Sequence, residues 1–297
     1  MSNRIAWDDQ RAFLAVFEEG SLSGAARRLG VAQPTVRARV EALEQALGTV
    51  LFTRSVNGLA PTEQARALAA PARAMARASD LFVRAASAPP GAVAGAVRLS
   101  VSEFVGVEVL PPILAQLREN HPRIVPEVSL SNMSADLLDQ EVDIAIRMHP
   151  PRQKALVAKK VGSIALGLFA HPEYLARHGV PASLDDLAAH DFIGPDRARA
   201  DLELAVALHA SLTPERFAVR TDSHPAQLAY ARAGLGIAVV QRAIGRADPN
   251  LSAVLPNVVV ASLETWIVTH ESLRKVPRVR AVFDHLVSAL TSYAQDP

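Results

Sequence analysis

The chain has 297 residues, 49% of them hydrophobic and 21% charged, with a formal net charge of +1. That length accommodates two or three domains at roughly 100–200 residues each, and the composition is ordinary for a globular protein with real cores. The absence of cysteine excludes disulfides, thiolate metal sites and cysteine nucleophiles, and so neutral a balance leaves any nucleic-acid partner to be announced by local charge.

The opening "MSNRIAWDDQRAF" is polar and lacks the apolar run of a signal peptide. No uncharged apolar run reaches about 18 residues, so no spanning helix is expected. Residues 12–47 read as helices. Phe13, Val16 and Phe17 form an apolar stripe that closes at Glu18–Glu19–Gly20. Ser21 or Ser23 can cap a second helix, "GAARRL", which Gly30 stops. A third begins near Gln33–Pro34, where the missing proline N–H does no harm, and Val36, Val40 and Leu43 would face the first two helices.

In "TVLFTRSVNGLAPT" alternating apolar positions flank Asn57–Gly58, a dipeptide suited to a type I′ hairpin turn. Three short helices and a small hairpin describe a winged helix-turn-helix. Thr62 then caps a long alanine-rich helix ending before Pro89–Pro90–Gly91. Leu68, Met75 and Phe82 recur every seven residues, with Ala65, Ala72 and Ser79 as a second seam, which predicts a helix-helix dimer contact. Pro71 should kink or loosen that helix.

Beyond it, strands and helices alternate. "AVRLSVS", "IVPEVSLS", "VDIAIRM", "GSIALGLFA", "RFAVRT", "AVV" and "TWIVTH" read as strands. "LPPILAQLREN", "SADLLDQE", "PAQLAYARAG" and "VRAVFDHLVSAL" read as helices. The alternation predicts a mostly parallel sheet, or two of them, with helices on both faces.

From Arg27 to Arg39 the chain holds four arginines (Arg27, Arg28, Arg37, Arg39) and no acid, whereas residues 1–66 carry eight basic and seven acidic side chains. The charge is focused, as phosphate contact and base reading require. Arginine suits guanine and glutamine suits adenine, both through paired hydrogen bonds. On charge alone, a solvated amphipathic helix explains the stretch equally well. Arg54 beside the hairpin favours DNA.

The chain resembles the LysR-type transcriptional regulators nearly end to end. The likeness lies in "FLAVFEEGSLSGAARRLGVAQPTVRARVEALEQALGTVLFTRS" and "NGLAPTEQA" in the head, and in "LPPILAQLRENHP", "LLDQEVDIAIR", "HPEYLARHGVP", "AGLGIAVV" and "RVRAVFDHL" in the body. The resemblance implies an α+β multidomain protein. It would comprise an N-terminal winged helix-turn-helix (1–65), a long linker and dimerisation helix (66–91) and a C-terminal α/β effector domain (92–297) like a periplasmic binding protein. The two subdomains of that last part are expected at about 95–165 with 268–297, and about 166–267. The implied partners are double-stranded DNA carrying an interrupted inverted repeat, a small-molecule effector, further copies of the chain in a dimer or tetramer, and RNA polymerase. The location implied is cytoplasmic.

Residue by residue, Gln33, Pro34 and Thr35 match the start of the family's recognition helix, with Arg27, Arg37, Ala38 and Arg39 around it, and Arg54 matches the wing arginine. Arg37 stands where serine or threonine is usual, and Ala38 where a larger polar residue is common. Ala32 replaces the usual serine or threonine cap, which should cost about 1 kcal/mol. Gln241 stands where the family often has proline.

In open α/β sheets ligands gather outside the carboxyl ends of strands. That rule points to Ser102, Asn132, Met133, Arg147, Asp222 and Ser223, with Glu103 beside them; the family's effector cleft is built from these same strand ends. Arg147 can hold a small acid, or it can pair with Asp143 or Glu103. Catalytic signatures are lacking. His171 and His178 are seven apart, His270–Glu271 has no second histidine four residues on, and "GLGIA" supplies only half of a dinucleotide fingerprint. His121 and His171 read as helix-boundary residues. An enzyme, a cofactor and a metal are not expected.

Overall fold

The computed structural model describes residues 5–55, 58–86, 93–132, 142–150 and 156–295. They fall into two compact units, one of positions up to 86 and one of positions from 93 onward.

In the first unit α1 (Trp7–Glu19) ends at Gly20 in the left-handed conformation. α2 (Leu22–Leu29) is capped by Ser21, whose hydroxyl accepts the Gly24 N–H at 3.1 Å, and stops at Gly30. α3 (Gln33–Leu47) buries Val36, Val40 and Leu43; Val36 and Val40 pack on Ala12, Ala15, Val16, Ala25 and Ala26 of the first two helices. Ala32, at its cap position, offers no side-chain hydrogen bond.

β1 (Phe52–Ser55) and β2 (Gly58–Pro61) form the antiparallel wing. The expected turn was Asn57–Gly58. The register instead pairs Ser55 with Gly58, so Gly58 opens the strand; Asn57 lies outside the described residues. Gly58 serves close approach rather than the turn. Its φ is +123°, and an added Cβ would stand 2.7 Å from the Gly20 carbonyl oxygen, which also accepts the Leu59 N–H at 2.9 Å.

α4 (Glu63–Ala86) starts from Thr62, whose hydroxyl accepts the Ala65 N–H, and runs through Pro71 without interruption. Ala65 and Ala72 are buried against Phe13, Leu14, Leu43 and Leu51 of their own head, with Leu68 packed beside them. The alanine seam therefore does not serve a partner helix along its first turns. Met75, Phe82 and Val83 are exposed.

The second unit begins with β3 (Gly95–Val101). A single π turn (Val105–Val109), α5 (Leu110–Asn120), β4 (Ile124–Leu130) and β5 (Ile144–Arg147) follow. The helix expected at 134–141 lies outside the described residues. Next come β6 (Leu156–Ala170), α6 (Pro172–His178), β7 (Phe192–Gly194), α7 (Arg199–Leu208), β8 (Phe217–Arg220) and α8 (His224–Arg232). The chain closes with β9 (Ala238–Gln241), α9 (Arg242–Ala247), β10 (Ser252–Val254), β11 (Ala261–His270), α10 (Glu271–Arg274) and α11 (Pro277–Gln295).

The main sheet has the order β10-β6-β11-β5-β3-β4, with β9 also on β6. It is mixed, which corrects the expectation of a mostly parallel sheet. Only β3 runs parallel to its neighbours β4 and β5; the pairs of β6 with β9, β10 and β11, and of β11 with β5, are antiparallel. The cause is the length of two strands. β6 and β11 pair along nearly the whole of β11, from Ala261–Leu166 to His270–Leu156, and so carry the chain out to a second half and back. That second half holds β7 and β8, a separate parallel pair, and buries Leu168, Tyr174, Phe192, Leu212 and Phe217 together.

Candidate functional site

The head presents one polar face. Opposite the buried stripe of α3, Gln33, Pro34, Thr35, Arg37 and Ala38 are all exposed, as are Arg27 on α2 and Arg54 on β1. The four clustered arginines are not equivalent. Arg28 is paired with Glu18 at 2.6 Å and with Glu19 at 3.4 Å, and Arg39, half-buried, with Asp8 at 3.3 Å. Among the described residues no carboxylate lies within ion-pair distance of Arg27, Arg37 or Arg54. Of the cluster and the wing, the positive charge left for a ligand is thus one arginine on each of α2, α3 and β1. Sequence reasoning missed Glu44, whose carboxylate accepts the N–H groups of Leu51 at 2.6 Å and Phe52 at 3.2 Å and so fixes where the wing leaves α3.

The second unit encloses a cavity of about 300 Å³. The strand ends of β3, β4 and β5 deliver Ser102, Asn132 and Arg147 to it, beside Ser131. Arg147 is buried; its guanidinium donates to the carbonyls of Ser100 at 3.1 Å and Ile146 at 3.0 Å and to the Ser100 hydroxyl at 2.9 Å. Burial pulls its pKa below the ordinary arginine value. Met133 lies outside the described residues.

Glu103, Asp222 and Ser223 are not part of the cavity wall but brace it. The Ser223 hydroxyl donates to Glu103 at 3.3 Å, and the Glu103 N–H donates to Asn132 Oδ1 at 3.0 Å. Asp222 accepts the N–H groups of Asp196, Arg197 and Ala198 at 2.8–3.0 Å and so holds the loop entering α7. Those amides keep its carboxyl below the usual range. A further tie crosses between the halves, where Arg232 of α8 donates to Glu108 at 2.8 Å and to Asp248 at 2.6 Å.

Four polar residues of the wall escaped the strand-end rule because helices and β9 supply them. His224, at the start of α8, meets Asp201, in the first turn of α7, with 3.0 Å between Nε2 and Oδ2. That bond raises the His224 pKa, against the opposing effect of burial. Gln227 is buried and donates to the Thr221 carbonyl at 2.7 Å. Gln241, singled out by sequence only as a departure from the family, is buried in the wall and accepts the Tyr293 hydroxyl at 2.7 Å. His149, just past the end of β5, adds a further polar side chain. The remaining wall is mostly apolar, with Leu204, Ala205, Leu208, Leu212, Phe217 and Val239 in the second half.

His121, His171 and His270 are helix-boundary residues. His171 and His270 accept the N–H groups of Glu173 and Ser272 through Nδ1, and His121 closes α5. Among the described residues no helix is long and apolar enough to cross a membrane.

Residues 7–66 match the model of the bacterial regulatory helix-turn-helix proteins of the lysR family, and residues 90–291 match the LysR substrate binding domain. The chain is 32% identical over 244 residues to the HTH-type transcriptional regulator ClcR of Pseudomonas putida, covering 79% of this chain and 82% of that one. It is 31% identical over 183 residues to an HTH-type transcriptional regulator of Xanthomonas campestris pv. campestris, covering 62% of this chain and 53% of the relative, so the chain spans about half the length of that protein. The fold is similar to that of full-length CbnR in complex with its target DNA, with a TM-score of 0.62, 23% identity and coverage of 96% and 99%.

Proposed function

Since this chain belongs to the LysR family of regulatory helix-turn-helix proteins, we propose that it is a sequence-specific DNA-binding transcriptional regulator controlled by a small molecule in the cavity of its second unit. The observation that carries the DNA half of this reading is the exposure of Gln33, Thr35 and Arg37 beside Arg27 and Arg54, three arginines in all that have no ion pair among the described residues. Gln33, Pro34, Thr35, Arg37 and Ala38 meet base edges and backbone, while Arg27 and Arg54 meet phosphates. Arg39 joins them only by releasing Asp8. Ser102, Asn132, Met133 and Arg147 meet the effector, with Glu103, Asp222 and Ser223 positioning them.

The working boundaries are 1–65 for DNA binding, 66–91 for the linker and 92–297 for the regulatory part. Two copies joined through the exposed face of α4 would place two recognition helices on one side of DNA, and two-fold symmetry then demands an interrupted inverted repeat. The family points to a dimer or tetramer that works with RNA polymerase in the cytoplasm and has no catalytic activity. An effector acts through unequal affinity for two arrangements of that assembly, and coupling of about 1–3 kcal/mol suffices.

Selection of random duplexes by the purified protein, followed by a salt series on the enriched sequence, tests this reading. An enriched inverted repeat with steep salt dependence is expected. Weak, sequence-indifferent binding would overturn specific regulation in favour of an architectural role.

A further inference from the structure

The strand ends account for only part of the cavity, because one whole wall is the inner face of α7. Asp201, Leu204, Ala205 and Leu208 all line it, at the i, i+3, i+4 and i+7 positions of one helix face. The stripe has a polar end and an apolar end. Asp201 bonds His224, and the neighbouring Ser223 is tied to Glu103 next to Ser102, so the N-terminus of α7 sits at the hydrogen-bonding groups. Leu208, one stripe-length on, packs with Leu212 and Phe217 in the apolar core of the second half. None of the residues of α7 is fully buried, and it rests on that core through the partly buried Leu202, Ala205 and Leu208. The Asp222 loop and the His224 bond hold its N-terminal end.

We propose that the cavity takes a small amphiphile, with one compact polar head among Ser102, Asn132 and His224 and a single apolar body of up to ~10 Å lying along α7. The inference rests on the effector-binding reading and names the ligand class of that site. The length follows from the seven residues separating Asp201 from Leu208, at about 1.5 Å of rise each. A ligand polar at both ends would bring a hydrated group against the apolar side chains of Leu208, Leu212 and Phe217. Ala205 and Leu208 are then the residues that set ligand size.

The test is calorimetric titration of the full-length protein with butanoate, hexanoate and octanoate, the corresponding amides, and succinate. In the acid or the amide series, affinity should rise about threefold to fourfold per added methylene until the length of α7 is filled. Succinate should bind no more tightly than butanoate. Ala205→Phe should abolish the dependence on chain length, and Leu208→Ala should move the optimum to a longer chain, which keeps the test alive if the phenylalanine variant fails to fold. Affinities flat along both series, or succinate as the tightest probe, would overturn the amphiphile while leaving an effector site in place. Silence from every probe would also overturn it. The effector reading itself falls only if a metabolite screen against the DNA-bound protein finds nothing that alters the complex.

Discussion

His224 and Asp201, 23 positions apart, join the first turns of α8 and α7 through a hydrogen bond of 3.0 Å at the polar end of the cavity. The Asp201 bond lifts the His224 pKa above its ordinary value. A histidine raised on folding contributes stability that is fully present below its unfolded pKa of about 6.5 and is lost as pH rises through the folded value. Thermal melts of wild type and Asp201→Asn should therefore differ most in mildly acidic buffer and converge as the solution becomes alkaline. A gap in melting temperature that is constant across that range would dismiss the linkage.

The ion pairs of the head separate arginines that look alike in sequence. Arg54→Ala removes an exposed arginine proposed to meet phosphate, so affinity for all duplexes should fall together and the slope of log K against log salt should shrink by about 1. Arg37→Ser should instead change the base preferred at one operator position, by about 1–3 kcal/mol of discrimination. Arg28→Ala, already committed to Glu18 and Glu19, should leave both quantities near wild type. Competition binding on a panel of single-substituted operators measures all three. An unchanged preference in Arg37→Ser would remove Arg37 from base reading.

What could be read from sequence here is what short-range physics decides. Ser21, Gly30, Thr62 and the Val36/Val40/Leu43 stripe act within one or two helical turns, and each takes its assigned place. The misses are all long-range. Gly58 reads as a turn residue because nothing local reveals that the Gly20 carbonyl lies against it. Ala65 and Ala72 fit a dimer seam equally well, since small residues at that spacing permit any close neighbour, here α1 of the same head. The strand-end rule found Ser102, Asn132 and Arg147 but had no means of finding Asp201, Leu204 and Leu208, which reach the cavity from a helix. Parallel pairing was overestimated because alternation does not disclose that β6 and β11 are two halves of one crossing ribbon.

Two substitutions in the head should shift stability in opposite directions. Ala32→Ser supplies the missing side-chain acceptor at the start of α3 and should stabilise the protein by about 0.5–1 kcal/mol. Glu44→Ala strips the acceptor from the Leu51 and Phe52 amides and should destabilise it by about 1–3 kcal/mol. Urea unfolding followed by tryptophan fluorescence in a Trp266→Phe background, which leaves Trp7 in α1 as the sole reporter, reads both. An Ala32→Ser protein no more stable than wild type would mean that the α3 terminus is satisfied by other means.

Along α4 the apolar positions divide into two sets. Ala65, Leu68 and Ala72 pack on the helix's own head, whereas Met75 is 44%, Phe82 77% and Val83 61% exposed. Side chains that large, exposed on one stretch of helix, fit the dimer face proposed for α4, where a two-fold axis would bury each of them twice. Removing Phe82 from both protomers forfeits about 3 kcal/mol or more, which corresponds to at least a hundredfold weaker dimer. Phe82→Glu adds repulsion between the two copies. Sedimentation velocity over a dilution series should show this variant dissociating at concentrations where wild type stays associated. The isolated protomers should then bind a half-site with the affinity of one head alone. A variant that sediments like wild type would place the interface elsewhere and leave Phe82 exposed for another partner.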